Sequence, residues 1–468
     1  MKKRIILAEG KTKRIWSVKN EPSWVIIENK DDITKNDDPS QTKVMVGKAE
    51  LATSTTCAVF QLLKEAGVPV AFERQLSPTE FLAPRVEMIL LEIIWRRYAV
   101  GSFLKRHPEL EVPRGSLPHR FHKSVFELFL KTTGGVIKTR RGEICGKLPD
   151  EVFSQTTEIT EADARGLHPN SLEKINQILS EKPATLRPID DPLILDPYYE
   201  WWYLHHPKYP QWDKRSVLDR NLSPECILPE GVTVEKIEKL LRQVGLVLEG
   251  AWAKLGCRFI DIKIEMGVTT DGQLMVADVI DADSWRLRDA EWNELSKQLF
   301  RDNVDMEQIA DKYVMVARLV QQFRIPDQAI VVWRGSKDDL ALEIPAVAGV
   351  KIVDIVLSGH KSPQQCLLKL EQVLTEFPEG GVILACVGMS NGLGPVLSAR
   401  TSWPVIGIPI TNEKFPEDIW SSLRMPSQVP MGTILSTKNA VLMALNILSQ
   451  KNPAAYAVRQ LAIEELDG

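Results

Sequence analysis

Residues Arg258–Asp289 read RFIDIKIEMGVTTDGQLMVADVIDADSWRLRD, and the rhythm of this stretch decides the fold of the first half of the chain. From Ile260 to Met266 apolar and polar residues alternate strictly. A strand sends successive side chains to opposite faces, so Asp261, Lys263 and Glu265 share one face and Ile260, Ile262, Ile264 and Met266 the other. Asp271-Gly272 supplies the turn chemistry of a hairpin, and Leu274–Ile280 is expected to return as a second strand carrying Asp278 and ending near Asp281 and Asp283. The plainer reading is an amphipathic pair whose polar face is wetted by solvent. Against it stands the sign pattern. Acids gathered on adjoining strands repel unless a cation sits among them, and oxygen ligands of this kind hold Mg2+ against substrate phosphates.

The bulk numbers bound the rest. A chain of 468 residues suggests roughly two or three domains with cores of ordinary size. A formal net charge of −4 argues against a nucleic-acid partner for the whole molecule, while local basic clusters still suit anionic small molecules. Six scattered cysteines form no CxxC pair and show no histidine spacing suited to zinc, which predicts reduced thiols in a cytoplasmic protein. No apolar run approaches the roughly 18–20 residues of a membrane span, and the N-terminus lacks a signal-peptide core, so no membrane partner is expected.

Upstream of the anchor, residues 1–30 read as strands turned at Glu9-Gly10-Lys11-Thr12-Lys13. The GKT tripeptide is no P-loop, because no glycine stands five residues before Gly10 and a strand pattern follows. What remains is either a plain basic turn or a glycine turn whose Lys11 and Lys13 lie over phosphates. Gly47–Gly67 has the apolar spacing of a helix. Val86–Val100 is strand-rich and carries Glu87, Glu92, Arg96 and Arg97 just before Gly101-Ser102, which reads either as a phosphate seat or as a surface arginine pair. Residues of about 132–189 read as an insertion with one helix near Ser171–Leu179. Val234–Leu255 and Met306–Phe323 read as amphipathic helices, and Arg324–Asp327 as the domain joint.

Beyond the joint, Ala329–Trp333, Val350–Leu357, Val382–Val387 and Val405–Ile410 are apolar runs of the kind buried on both faces of a parallel sheet with helices on each side. Each of the first three opens into a small polar loop: Gly335–Asp339, Ser358–Ser362 and Gly388–Pro395. Ligands bind at that edge of open α/β sheets. His360 lies in one of these loops, where it is either solvated or a group titrating near neutrality for proton transfer.

Four blocks of the first half, EGKTKRIW (9–16), EMILLEIIWRRYAVGSFLKR (87–106), FIDIKIEMG (259–267) and VADVIDADSWRL (276–287), resemble the phosphoribosylaminoimidazole-succinocarboxamide (SAICAR) synthetase family in identity and order. SGHKSP (358–363), SNGLGPV (390–396) and WSSLRMPS (420–427) are similar to the phosphoribosylaminoimidazole (AIR) carboxylase that uses carbon dioxide directly. The whole resembles the bifunctional family joining the two. The resemblance implies an α+β ATP-binding domain over 1–323, with its insertion, and a three-layer αβα, flavodoxin-like domain over 324–468. It implies ATP-dependent ligation of L-aspartate to carboxy-AIR (CAIR), carboxylation of AIR, and a homo-oligomer, an octamer in the family, built through the second domain.

By the same resemblance Gly10, Lys11 and Lys13 lie over the ATP phosphates, and Glu87 and Met88 line the adenine site. Lys263 contacts phosphate, while Glu265 and Asp278 hold Mg2+. Arg96, Ser102 and Arg286 take the ribose-phosphate end of CAIR, and Lys131, Asp190 and Asp191 flank the L-aspartate pocket. Ser336, Asp339, His360, Lys361, Ser390, Asn391 and Gly392 surround AIR and carbon dioxide.

The chain departs from the family pattern at Gly359 where alanine is expected, at Met389 where arginine is expected, and at the first loop, which reads GSKDD. A short first helix of the second domain would contain Pro345, a poor helix-interior residue. The rival reading is therefore a synthetase whose second domain survives only as an assembly scaffold. A weaker rival is a nucleotide-responsive regulator, against which Lys263, Glu265 and Asp278 argue.

Overall fold

The computed structural model describes residues 2–34, 42–113, 115–133, 135–148, 191–205, 207, 222–295, 306–339, 341–411 and 414–466. The expected helix at Ser171–Leu179, most of the insertion, and Asp190 lie outside them. The chain gathers into two compact units, one of Met1–Lys64, Val68–Gly245 and Leu255–Phe323, the other of Glu65–Gly67, Leu246–Lys254 and Arg324–Gly468.

In the first unit β1 (Lys3–Glu9), β2 (Lys13–Val18) and β3 (Glu21–Asn29) run antiparallel, followed by the short pair β4 (Asp32–Thr34) and β5 (Thr42–Val44). After helix α1 (Lys48–Glu65), β6 (Arg74–Ser77) and β7 (Glu80–Pro84) complete a five-stranded sheet in the order β1-β2-β3-β7-β6. GKT leads into the strand β2, so its exclusion as a P-loop stands.

A second sheet of eight strands carries the anchor. It contains β8 (Val86–Met88), β9 (Leu91–Tyr98), β10 (Arg120–Leu130), β13 (Leu193–Ile194), β14 (Leu204–His205), β15 (Arg258–Thr269), β16 (Leu274–Ala277) and β17 (Trp285–Arg288). A side pair, β11 (Val136–Lys138) and β12 (Ile144–Lys147), follows β10. Helix α2 (Ser102–Arg106) follows β9, and α3 (Val234–Lys254) and α4 (Met306–Val320) flank the anchor in sequence.

β15 is the hub of this sheet, with β9 and β17 on its first half and β8 and β16 on its second. Its apolar alternates Ile262, Ile264 and Met266 are buried, as the pattern predicts. The other face differs from expectation in one respect. Lys263 and Glu265 stay half-buried, but Asp261 is only 5% exposed, because Arg96 and Arg286 stand directly opposite it on both sides. The returning strand is also shorter than expected. β16 stops at Ala277, and Asp278 turns out of the ladder at φ +66°, a left-handed conformation that aspartate tolerates better than most residues.

The second unit is a parallel sheet of β18 (Gln328–Arg334), β19 (Val350–Val356), β20 (Gly381–Val387), β21 (Val405–Pro409) and β22 (Gly432–Thr433), ordered β19-β18-β20-β21-β22. Helices α5 (Pro363–Glu376), α6 (Leu393–Ser398), α7 (Trp420–Leu423), α8 (Thr437–Ser449) and α9 (Pro453–Leu466) complete it. Alternate strand residues divide between two cores. Ile330, Val332, Leu384 and Ile406 meet Ala440, Ala444 and Leu448 of α8 and Ala455 of α9. Ala329, Val331, Trp333 and Ile383 meet Leu370 and Val373 of α5 and Leu397 of α6. This is a three-layer αβα unit in the flavodoxin-like strand order 2-1-3-4-5.

Two expectations fail here. β19 is an edge strand with Ile352 43% exposed, because a run of apolar residues does not by itself say that both neighbours exist. No helix forms among the described residues between β18 and β19. Leu342 and Ile344 instead pack irregularly on the α8 side of the sheet, consistent with Pro345 denying the segment a helical interior.

Candidate functional site

In the first unit, three lysines each meet a carboxylate around the second half of β15. Lys263 Nζ lies 2.6 Å from Glu92 Oε1, and Lys131 Nζ lies 2.6 Å from Glu265 Oε1. Lys13, the first residue of β2, pairs with Asp278. Burial pushes the Lys13 ammonium down to about 8, with Glu265 and Asp281 pulling upward and Lys131 and Lys263 opposing them. Asp191 stands beside this group. Its Oδ1 accepts from Thr132 N at 2.8 Å and Thr132 Oγ1 at 2.9 Å, while burial and the nearby Glu92 carboxylate raise it to about 6. The front predicted from alternation is thus a mixed array of acids and lysines, held by β2, β9, β15 and the ends of β10 and β16.

Next to it lies a small packed apolar cluster. Met88 on β8 and Met275 on β16 both stand opposite Gly267, and Ala71, Met275, Ala277, Val86 and Met88 form one small cluster. A Cβ on Gly267 would lie 2.6 Å from Val86 Cγ2, so only glycine lets β8 close on β15 here. Glu87 faces solvent. Beyond Glu9, the Gly10–Thr12 turn is closed by Gly10 N donating to Lys13 O at 2.9 Å, and Lys30 Nζ reaches Gly10 O at 3.1 Å.

A row of alternating charges runs under the Gly101-Ser102 turn. Arg106 and Arg96 both pair with Glu127. Arg96 Nη1 and Arg286 Nη1 each lie 2.5 Å from Asp261 Oδ2. Burial disfavours the charges of Arg96, Arg106 and Glu127 and leaves Arg106 below its ordinary value, yet Arg96 and Arg106 hold the Glu127 carboxyl below its own, and Glu127 and Asp261 hold Arg96 above its own. Arg96 was expected on a ribose phosphate or in a surface pair. It is not a surface group: its side chain is 3% exposed, with Glu127 and Asp261 carboxylates on both sides of it. Arg286 and Ser102 are the half-buried members at the surface of this region.

In the second unit the three loops do converge. Gly388 leaves β20 so close to Asp339 that a Cβ would lie 2.9 Å from Asp339 Oδ1. A Cβ on Gly359 would lie 2.6 Å from Leu393 Cα, and one on Gly392 would lie 2.3 Å from His360 Nε2. The His360 ring therefore rests on the Gly392 backbone. Asp339 Oδ2 accepts from Ser336 N at 2.8 Å, and Lys361 N donates to Ser358 Oγ at 3.3 Å. Asn391 is buried, and its amide is spent on structure: it accepts from Gly394 N at 2.8 Å and donates to Ser422 Oγ at 3.0 Å. Ser390, Lys361 and His360 are exposed, as is Met389 at 65%. The site sits at the switch point between β18 and β20.

Sequence reasoning missed Glu92 and Glu127 as members of these sites, and placed Asp261 on the front face without its two arginine partners. Glu92 shares a face with Arg96 on β9 by simple alternation, which was signal enough. Glu127 and Asp261, by contrast, look like ordinary strand acids until the register is known. Among the described residues no group of three His, Cys, Asp or Glu is placed to hold a metal ion. Glu265 and Asp278 are each paired with a lysine, Lys131 and Lys13, and Mg2+ characteristically takes only one or two carboxylates and completes its shell with substrate phosphates and water.

The SAICAR synthetase family model matches residues 6–143 and 204–318, and the AIR carboxylase family model matches residues 329–463. The probable multifunctional protein ADE2 of Caenorhabditis elegans is 31% identical over 472 residues, covering 96% of this chain and 91% of that protein. The bifunctional phosphoribosylaminoimidazole carboxylase/phosphoribosylaminoimidazole succinocarboxamide synthetase of Homo sapiens is 28% identical over 485 residues, 98% and 93% respectively. A phosphoribosylaminoimidazole-succinocarboxamide synthase of Chloroflexus aurantiacus is 30% identical over 329 residues, covering 67% of this chain and 95% of its own.

Proposed function

The chain belongs to the bifunctional AIR carboxylase/SAICAR synthetase family, and on that premise we propose that it performs both reactions of purine biosynthesis. The array of Lys13, Lys131 and Lys263 with Asp278, Glu265 and Glu92 carries this reading, because phosphoryl transfer is mainly positioning and charge neutralisation. Lys11 and Lys13 lie over the ATP phosphates with Gly10, and Lys263 meets the phosphoryl group in transfer. Glu87 and Met88 line the adenine site. Glu265 and Asp278 are the residues that would hold Mg2+, which when bound neutralises phosphate charge.

In the first reaction the CAIR carboxylate attacks the terminal phosphorus of ATP, giving an acyl phosphate and ADP. The amine of L-aspartate, seated by Lys131, Asp190 and Asp191, then attacks the acyl carbon. Phosphate leaves, a proton leaves the amine, and the amide of SAICAR remains. Arg286 and Ser102 hold the phosphate of CAIR, with Arg96 acting from beneath. In the second reaction a ring carbon of AIR attacks carbon dioxide and loses its proton, with His360 as the base. Ser336, Asp339, Lys361, Ser390, Asn391 and Gly392 shape that pocket.

The two activities divide between domains of residues 1–323 and 324–468. Six free thiols suit a reducing cytoplasm. Exposed Trp420, Leu423, Leu442 and Met443 support a homo-oligomer, an octamer by resemblance, built through the second domain. The test is a paired assay on the purified chain. It should form SAICAR and ADP from CAIR, ATP, Mg2+ and L-aspartate, and CAIR from AIR and carbon dioxide. SAICAR formation alone would leave the second domain a scaffold, and neither product would overturn the proposal.

A further inference from the structure

The strands β9, β15 and β17 place Arg96, Asp261 and Arg286 directly opposite one another, so their side chains leave the sheet on one face. Glu127 of β10 and Arg106 of α2 extend the row to Arg106, Glu127, Arg96, Asp261 and Arg286, with signs alternating throughout. Every inner member is less than one-tenth exposed. Both ends of the row return to the same backbone turn. Arg106 Nη1 donates to Ser102 O at 3.3 Å, and Arg286 lies so close over Gly101 that a Cβ there would be 2.6 Å from its Nη2. Gly101 has φ +62°, a second reason the position accepts only glycine comfortably.

We propose that Asp261 and Glu127 are positioning residues for recognition of the substrate's phosphate monoester, Asp261 by aiming Arg286 and Glu127 by fixing the Ser102 turn through Arg106. This rests on the reading that Arg286 and Ser102 meet that phosphate. The row carries three cations and two anions, so one positive charge is left over, and the less buried cation is Arg286 at 18% exposure. A phosphate dianion arriving at Arg286 continues the alternation. Without Asp261 the guanidinium would be free to swing, and Arg96 would be left as a buried charge with one partner.

The experiment compares CAIR with its dephosphorylated nucleoside as substrates of the full chain carrying Asp261→Asn or Glu127→Gln. Wild type should prefer the nucleotide strongly. Each variant should lose about tenfold or more of that preference, as expected for one charge-assisted contact, with KM for ATP little changed. A merely structural role would depress both substrates equally and leave the preference intact, which would overturn the proposal. Should Asp261→Asn fail to fold, Gly101→Ala tests the same arrangement from the other side, and an unchanged preference there also overturns it. A wild-type chain that does not turn over CAIR at all would refute the synthetase reading instead.

Discussion

Replacing Gly359 by alanine installs the residue that the family pattern leads one to expect, yet the structure says this chain should not tolerate it. The new Cβ would lie 2.6 Å from Leu393 Cα, 2.8 Å from Gly392 O and 2.9 Å from Leu393 N. All three obstacles are backbone at the start of α6, so no side chain can swing aside. The two loops must part from 2.6 Å toward ordinary contact near 3.4 Å, and His360, the next residue, moves with them. Overpacking of this kind costs about 1–3 kcal/mol. For a unit of this size that lowers Tm by roughly 2–12 °C. Misplacing a catalytic group on the ångström scale costs about a hundredfold in rate. The assay is kcat/KM for AIR carboxylation beside a thermal melt of the full chain, with SAICAR formation from CAIR as the internal control. Full carboxylation with an unchanged melt would refute the apposition of these loops.

Other outcomes follow from the first unit. Lys13 titrates near 8 in the folded chain against 10.5 ordinarily, so its charge is a burden below about pH 8 that is relieved between about pH 8 and 10.5 as the folded state sheds its proton first. KM for ATP should accordingly rise above about pH 8, and Lys13→Arg should flatten that rise; a flat wild-type profile would remove Lys13 from the phosphates. Asp191 is raised from 3.8 to about 6, so the folded chain carries an unfavourable carboxylate that is absent at low pH and complete above about pH 6. Asp191→Asn keeps the acceptor for Thr132 and should stabilise by about 1–3 kcal/mol at pH 8 but scarcely at pH 4, as read by denaturant unfolding. Equal destabilisation at both values would contradict it. Asp278→Asn should abolish Mg2+-dependent SAICAR formation without unfolding the chain, because asparagine also tolerates φ +66°; near-normal turnover would refute the metal role.

What could be read in advance followed from local periodicity. The alternation of 260–266 gave the right strand and the right faces, and the apolar runs at 329–333, 382–387 and 405–410 gave three of the parallel strands. What failed was information held by neighbours. Arg96 read as a phosphate ligand or a surface group, because nothing in its own strand says that Glu127 and Asp261 will close over it. Val350–Val356 looked doubly buried because an edge strand and a central one share the same composition. Asp278 looked like a strand residue because a single left-handed turn leaves no mark on polarity patterns. The convergence of Asp339, His360 and Gly392 was anticipated only as three loops on one rim; the van der Waals fit of glycine against imidazole depends on the folded path of both loops.

The row from Arg106 to Arg286 has a consequence for how the sequence can drift. Changing the sign at any buried position of the row strands an ion, a loss of about 3–5 kcal/mol where a partner is removed outright. Positions 96, 106, 127 and 261 are therefore coupled in descent. A lineage escapes such a lock by exchanging acid and base together or by replacing the set with hydrocarbon, and the second route would cost Arg286 its aim. Chains that keep the phosphate contact should thus inherit the four as a block, however freely the surrounding strands diverge.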